Sequence, residues 1–442
     1  MSAVITVVGG GLAGVEAAWA AAQRGTFVRL VEMRPLKMTP AHKTGLLAEL
    51  VCSNSLKTKS PDSPGGLLKA EMASLGSLVL KAAEQSAVPG GEALAVDRQL
   101  FAQLVTEAVG SCPLIERVGK EFGPEDIEPA LENGPVILCT GPLTSERLAE
   151  WIGNVTGQDN LRFYDAVSPV VDASTIDRSI AFGQSRYGKG GDDYLNCPFD
   201  KETYLAFVKA LVEAERAPLH DFEEEQRAQI PYFAGCMPIE AIAERGERSL
   251  AFGNFKPVGL VDPRTGKRPY AALQLRPENR EKTLYSLVAC QNRLKWSEQK
   301  RVFRMVPGLE NAEFVRYGVI HRNTYVNSPK VLDVNLQLRN APGVFLAGQI
   351  TGVEGYVESA AIGLLAGLLA GGFLKSLSPR RTAYGSLLAH LADDTERSFA
   401  PMNINWGLLP DPDPIPPDRA LKRQMKLDRA REEFANWLLN AT

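Results

Sequence analysis

No two cysteines in this chain stand in Cys-x-x-Cys spacing. The six, at 52, 112, 139, 197, 236 and 290, are scattered. That pattern indicates neither a zinc site nor a redox dithiol, and a reducing compartment would leave them as thiols. The chain also lacks a membrane-length apolar run. The longest such stretch, Ala360 to Phe373, is rich in glycine and alanine and too short to span a bilayer. The first residues lead straight into an apolar strand, so no secretory leader is expected and the cytoplasm is the expected location. No internal repeat is evident. Charge of one sign is missing too: the formal net charge is -3, so bulk charge announces no nucleic-acid partner. What remains is ordinary globular composition, 45% hydrophobic and 23% charged. The 442 residues are enough for two or three domains.

What is present is concentrated at the start. Val4 to Val8 reads as a buried parallel strand. Gly9-Gly10-Gly11-Leu12-Ala13-Gly14 follows, then a helix from Val15, then a second apolar run from Phe27 to Val31 ending in Glu32. This is the strand, Gly-x-Gly-x-x-Gly turn, helix, strand and acid of a dinucleotide site. Gly9 permits the tight turn, Gly11 lets a pyrophosphate approach the backbone, and Gly14 lets the helix pack close to the strand. The helix N-terminus offers N–H groups to phosphates. Glu32, about 20 residues on, suits ribose hydroxyls. By itself the motif does not choose between FAD and NAD(P).

Residues 35–65 read as an irregular segment crossing this site, and a loop of that length is usually functional. It holds His42 and Cys52. Gly66 to Leu80 and Val96 to Val109 read as helices, the second capped by Asp97, and Leu114 to Phe122 as a strand. Val136 to Cys139 is a buried strand ending in Thr140-Gly141. Between about 160 and 330 the strands become short and alternating, with an amphipathic helix near Lys201 to Glu215. At Gly343 to Ala347 a buried parallel strand returns. It leads through Gly348, Gln349, Glu354, Gly355 and Tyr356, a glycine-rich turn, into a small-residue helix from Ser359 to Leu374. A helix aimed there at a flavin ring stabilises the anionic reduced form. Two such turns favour an extended FAD over NAD. The expected fold is therefore α/β: a Rossmann-like two-dinucleotide-binding FAD fold with an inserted α+β domain. The expected units are 1–160 and 331–442 for the FAD-binding domain and 161–330 for the insertion. A Pro/Asp-rich linker, Pro410 to Pro417, precedes a basic terminal helix. Arg419, Lys422, Arg423, Lys426, Arg429 and Arg431 stand there against one acid, Asp428. Lys300, Arg301 and Arg304 form a second basic cluster, and Arg264, Lys267 and Arg268 a third. Three clusters tilt the reading towards a polyanionic partner, although a solvated face explains each one singly.

Motifs along nearly the whole length resemble the TrmFO family, the folate- and FAD-dependent tRNA (uracil-5-)-methyltransferases of the wider GidA flavoprotein group. They are Gly9 to Ala18, Glu32-Met33-Arg34-Pro35, Thr39-Pro40-Ala41-His42 and Val51-Cys52-Ser53-Asn54-Ser55-Leu56. Further on come Tyr194 to Pro198, Gly235-Cys236-Met237-Pro238, Lys256 to Leu260, His321-Arg322-Asn323-Thr324-Tyr325, Gly352 to Tyr356 and Pro401-Met402-Asn403. The larger relatives carry a longer C-terminal helical region that is missing here. The resemblance implies that 5,10-methylenetetrahydrofolate gives one carbon, that reduced flavin relays it to C5 of a T-loop uracil of tRNA, and that NAD(P)H reduces the flavin. No second Rossmann turn for NAD(P)H is visible, and no metal is implied.

The same resemblance gives roles to residues. Cys52 and Cys236 match the family's two functional cysteines. Uracil C5 is a poor nucleophile until a thiolate adds to C6 and makes C5 an enolate carbon. Cys236 is assigned that attack and Cys52 a supporting role, with an exchange of roles left open. His321 is the expected cover for the pterin ring and Tyr356 a flavin-side residue. Cys112, Cys139 and Cys290 read as buried structural thiols, and Cys197 is undecided. Competing readings are the same chemistry on ribosomal RNA, an FAD oxidoreductase of a small molecule, and a non-catalytic RNA-binding flavoprotein.

Overall fold

Four consecutive buried side chains, Ile5–Val8, form the strand from which the molecule is built. The computed structural model describes residues 3–39, 41–157, 161–166, 168–188, 192–217, 237–318, 320–392 and 399–441. Ile5–Val8 is the centre of a five-stranded sheet ordered Val344–Leu346, Val136–Leu138, Ile5–Val8, Val28–Glu32, Ile115–Gly119. Every pairing in it is parallel. Both faces are covered, so its strands read as continuous apolar runs rather than alternating ones. The strand at 115 ends at Gly119, short of the expected Phe122.

Two helices pack on each other against this sheet: Leu12–Ala22 and Tyr356–Ala370. Their backbones touch because the second carries glycines four residues apart, Gly363 and Gly367, where the first comes closest. A Cβ on Gly363 would lie 2.1 Å from Ala13 O, and one on Gly367 2.3 Å from Ala17 O. That explains the small-residue composition of the helix. The helix begins at Tyr356 rather than Ser359, because Gly355, at φ +113°, makes the break immediately before it. The helix expected over 66–80 is two helices, Pro64–Ser74 and Leu78–Gln85, separated at Gly76, where φ is +88°. Asp97 caps Arg98–Gly110 as expected, accepting from Leu100 N at 3.0 Å. The segment 35–65 is not wholly irregular: Ser55–Thr58 is a strand pairing with Ala93–Val96, and Leu47, Leu50 and Leu56 are buried.

A second core lies on a six-stranded antiparallel sheet. Its order is Phe182–Gly183, Leu195–Phe199, Ala271–Pro277, Leu284–Leu287, Val170–Asp172, Phe314–Arg316. Helix Lys201–Glu213, capped by Asp200, lies against it, and Phe199, Tyr204, Phe207 and Phe255 pack ring on ring. A two-stranded antiparallel ribbon, Leu161–Ala166 with Ile320–Tyr325, carries the chain out of and back into the parallel-sheet half.

Candidate active site

The glycine turn sits at the carboxyl end of Ile5–Val8, where ligands bind in open α/β sheets. Gly9 has φ +102°, and a Cβ there would lie 2.5 Å from Cys139 O. A Cβ on Gly14 would lie 1.8 Å from Gly9 O. A Cβ on Gly11, by contrast, would meet nothing within 4 Å. It would project into a mostly apolar cleft, the kind of concavity in which a cofactor is held. Gly11 is the N-cap of the first helix, and no side chain caps it. Its first N–H groups thus remain for an anion. Both glycine-rich turns line this cleft: Gly9, Gly11, Leu12 and Ala13 from the first, Gln349 and Tyr356 from the second. Glu32, Met33, Arg34, Thr140 and Gly141 line it as well. These residues fit a dinucleotide of FAD length.

Other expected contact residues stand behind the lining. Gly10 N donates to Glu32 Oε2 at 2.7 Å. Gly14 and Gly348 pack against Gly9 and Ala13. Glu354 Oε2 accepts from Gln349 Nε2 at 3.2 Å, holding the second turn together with Gly355. Glu32 is itself engaged. Oε1 accepts from Arg34 N and Nε, and Oε2 from Gly10 N and Arg34 Nη2. Burial pushes its carboxyl up, but Arg34 outweighs burial and holds it below the usual range. Since a carboxylate has about four lone-pair positions, Glu32 here fixes the turn and Arg34 before it meets any ribose. His42 lines the cleft, its Nδ1 2.6 Å from Thr39 Oγ1.

The segment after His42 puts Val51 in the lining of the cleft and ties the backbone of the next residue, Cys52, to Tyr356. The Tyr356 hydroxyl accepts from Cys52 N at 2.7 Å and from Ser53 N at 3.3 Å. Lys57, three residues past Asn54, reaches Glu358 Oε1 at 2.7 Å and Glu354 O at 3.4 Å. The cysteine segment is thereby tied to the start of the Tyr356–Ala370 helix. Asn54, fully buried, donates to Val96 O and to Pro277 O, which ties it to the antiparallel sheet.

Around Cys52 the structure gathers charges. Arg98, first residue of its helix, donates to Leu50 O at 2.8 Å and Cys52 O at 3.3 Å. Its Nε lies 2.5 Å from Glu278 Oε2. Arg276, near the end of Ala271–Pro277, also attracts the Glu278 carboxylate. Arg316 closes the cluster from Phe314–Arg316, with Nε and Nη2 buried and unpartnered. Burial, then repulsion from Arg98, push Arg316 down to about 10. Burial raises Glu278, but the three arginines outweigh it and hold its carboxyl below the usual range. Three guanidiniums facing one carboxylate make the surroundings of Cys52 electropositive.

The remaining cysteines divide. Cys139, Cys197 and Cys290 are buried, and burial raises all three thiols. Cys197, undecided from sequence, is a core residue of the antiparallel sheet. Cys112 is partly buried. His321 lies on the ribbon opposite Asp165. Cys236 lies outside the described residues. Arg98, Arg276, Glu278, Arg316 and Lys57 were not singled out by sequence. The one available signal was that Lys57 shares a stretch with Cys52. Among the described residues no group of acids, histidines and cysteines is placed to hold a metal, and no helix is long and apolar enough to cross a membrane.

This geometry can be set beside known proteins. The family described as glucose inhibited division protein A matches residues 4–378. The methylenetetrahydrofolate–tRNA-(uracil-5-)-methyltransferase TrmFO of Natranaerobius thermophilus is 54% identical over 437 residues, covering 97% of this chain and 98% of its own. That of Desulforudis audaxviator is 52% identical over 446 residues, covering 99% of each. The chain belongs to the TrmFO family. The GidA structure of Aquifex aeolicus shares the fold, with a TM-score of 0.66 at 16% identity over 99% of this chain and 74% of that one. The chain spans nearly the whole length of these TrmFO relatives and about three quarters of the GidA chain.

Proposed function

We propose that this protein methylates C5 of a uridine in tRNA, at position 54 of the T-loop, with FAD as cofactor, 5,10-methylenetetrahydrofolate as carbon donor and NAD(P)H as reductant. The observation that carries the reading is Tyr356, which lines the cofactor cleft and whose hydroxyl holds the backbone of Cys52. One side chain thus couples the thiol segment to the cofactor site, in a chain of the TrmFO family. FAD, when bound and reduced, supplies the relay of the one-carbon unit and the reducing equivalents. Gly9, Gly11, Leu12, Ala13, Glu32, Met33, Arg34, Thr140, Gly141, Gln349 and Tyr356 would hold it, with Gly10, Gly14, Gly348, Glu354 and Gly355 shaping the two turns.

The chain's own chemistry is covalent. Cys236 adds to uracil C6 and makes C5 an enolate carbon able to attack an electrophilic methylene. Cys52, among Arg98, Arg276 and Arg316, takes the supporting part as a thiolate or in the proton transfers. His321 covers the pterin. We take 161–330 to be the unit that presents uracil to the cleft between 1–160 and 331–442, and we place the reaction in the cytoplasm. The test is transfer of labelled carbon from methylenetetrahydrofolate to unmodified tRNA and ribosomal RNA transcripts side by side. Label in the tRNA T-arm alone is expected. Label in ribosomal RNA alone would replace the substrate, and label in neither would overturn the reading. RNA with 5-fluorouracil in the T-loop should give a denaturation-resistant adduct, lost in Cys236→Ala. An adduct that survives Cys236→Ala but not Cys52→Ala would exchange the two roles.

A further inference from the structure

The three basic clusters meet different fates. In the second, Arg301 pairs with Glu298 at 2.6 Å and Arg304 donates to Ala312 O. In the third, Arg264 pairs with Asp262 at 2.7 Å. In the cluster at the start of the last helix Lys422 and Lys426 pair with Asp411 and Arg431 with Asp62, and what sets it apart is a concavity lined with its cations. That helix, Arg419–Ala441, buries Leu427, Ala430, Phe434 and Trp437 against the parallel-sheet half. It turns Arg419, Lys422, Arg423 and Lys426 towards a concavity of about 880 Å³, walled on its far side by 406–411 and Arg380. Asp411 is the single carboxylate facing these five cations. Lys426 is buried and engaged, donating to Trp406 O and Leu409 O and pairing with Asp411. It fixes the wall. Lys422 shares Asp411 at 2.7 Å. Among the described residues, Arg419 and Arg423 have no carboxylate partner. The Arg423 guanidinium lies 5.1 Å from the centre of the Trp406 ring. It lies over that ring, and a guanidinium can take a phosphate in bidentate fashion.

Two further observations give the concavity a purpose. Cations in the first turn of a helix, here Arg419 and Lys422, oppose its dipole, so stability alone would place acids there. An anion in the pocket removes that conflict. The pocket is also chained to the active site. Met402 N donates to Gly352 O, and Glu354 N donates to Met402 O, so the pocket wall begins on the second glycine-rich turn. Trp406 is four residues on, at most about 14 Å away. A nucleic-acid duplex carries about one charge per 1.7 Å of axis, so an arm presenting a loop to the cleft passes several phosphates within that reach.

We propose that the pocket between Trp406–Asp411 and the start of the last helix clamps the phosphate backbone of the RNA substrate, with Arg419 and Arg423 as its donors. This rests on the tRNA reading above. The test measures binding of the FAD-loaded protein to unmodified tRNA and to an isolated T-arm hairpin across a salt series. In the Arg419→Ala/Arg423→Ala double variant, affinity is expected to fall on the order of ten-fold, and the salt slope by about one per lost contact. The Arg419→Lys/Arg423→Lys variant should recover most of the slope but not all of the affinity, since lysine keeps the charge and loses the bidentate fork. Flavin absorbance reports that both variants are folded. Unchanged affinity and slope in the alanine variant overturn the proposal. So does a raised KM for NADPH with tRNA binding intact, which would make the pocket a nucleotide-phosphate site. A wild-type protein that holds flavin but binds no tRNA overturns the tRNA reading instead.

Discussion

The Gly9–Gly14 turn and the segment from Glu49 to Cys52 both border one cleft, the second through Glu49 and Val51, and they are built in opposite ways. The turn is made by neighbours. Strand, glycines and helix follow one another, and the tightest contact, a Gly14 Cβ against Gly9 O at 1.8 Å, spans five residues. The surroundings of Cys52 are made by residues remote in sequence: Tyr356 is 304 positions from Cys52, and Glu278 is 180 from Arg98. Neighbours need only local backbone geometry to find each other. Remote charges need the whole topology first. The cofactor turn should therefore fail through its backbone, and the thiol side through its charges and hydrogen bonds.

The largest effect is expected at Gly14. Its alanine variant has no room for the methyl and should lose at least about 3 kcal/mol and its flavin. Gly11→Ala is the sharpening partner, because its methyl enters open space. That protein should fold with a near-native melting temperature but bind FAD on the order of ten-fold more weakly. Wild-type flavin absorbance in Gly14→Ala would break the local half of the comparison. Next is Arg98→Met. Removing one partner of a buried ion pair costs about 3–5 kcal/mol, here eased because Arg276 and Arg316 still face Glu278. Methyl transfer should fall on the order of 100-fold as the Cys52 backbone loses its clamp, while the cleft keeps its flavin. Loss of flavin in step with activity would show that the two sides are not separable. Smaller again is Tyr356→Phe, which leaves Cys52 N and Ser53 N without their acceptor, at a cost of about 1–3 kcal/mol. Hydrogen exchange at those two amides should quicken by on the order of ten-fold, with exchange in Leu12–Ala22 unchanged.

The same contrast explains what could be read from sequence. The opening motif, the acid at 32, the Asp97 cap, the strand ending in Thr140-Gly141 and the returning strand Val344–Leu346 all declare themselves by local order. Each was legible, and together they gave the α/β FAD fold. Boundaries set by single glycines were less so: Gly76 divides one expected helix, and Gly355 starts another three residues early. Arg98 was not legible at all. In sequence it is a charged residue after an N-cap, like many on solvated helices. Only the antiparallel sheet, arriving with Glu278, turns it inward. Arg316, at the end of a three-residue strand, carried no signal of its own.

Buried carboxylates offer the finest test of the comparison. Glu16 and Glu71 lie in the parallel-sheet half and accept from helix N-termini: Glu16 from Val79 N and Leu78 N, Glu71 from Ala383 N and Tyr384 N. Among the described residues no cation offsets their burial, which raises Glu16 to about 7 and Glu71 to about 8. Glu278 is buried too, but its arginines hold it low. The signs are opposite. Between about pH 4.5 and pH 7–8 the folded state holds protons on Glu16 and Glu71 that the unfolded chain releases, so their contribution to stability is lost as pH rises through that window. The contribution of Glu278 is present above its unfolded value and is lost only as pH falls below it. Calorimetry should therefore show the melting temperature falling by about a few degrees from pH 5.5 to pH 8. Glu71→Gln should flatten the upper part of that fall, because an amide keeps an acceptor for the helix and has no proton to release. An equal fall in wild type and Glu71→Gln would mean that the dipole of helix Ala383–Ala392 stabilises the Glu71 carboxylate as fully as the arginines stabilise Glu278.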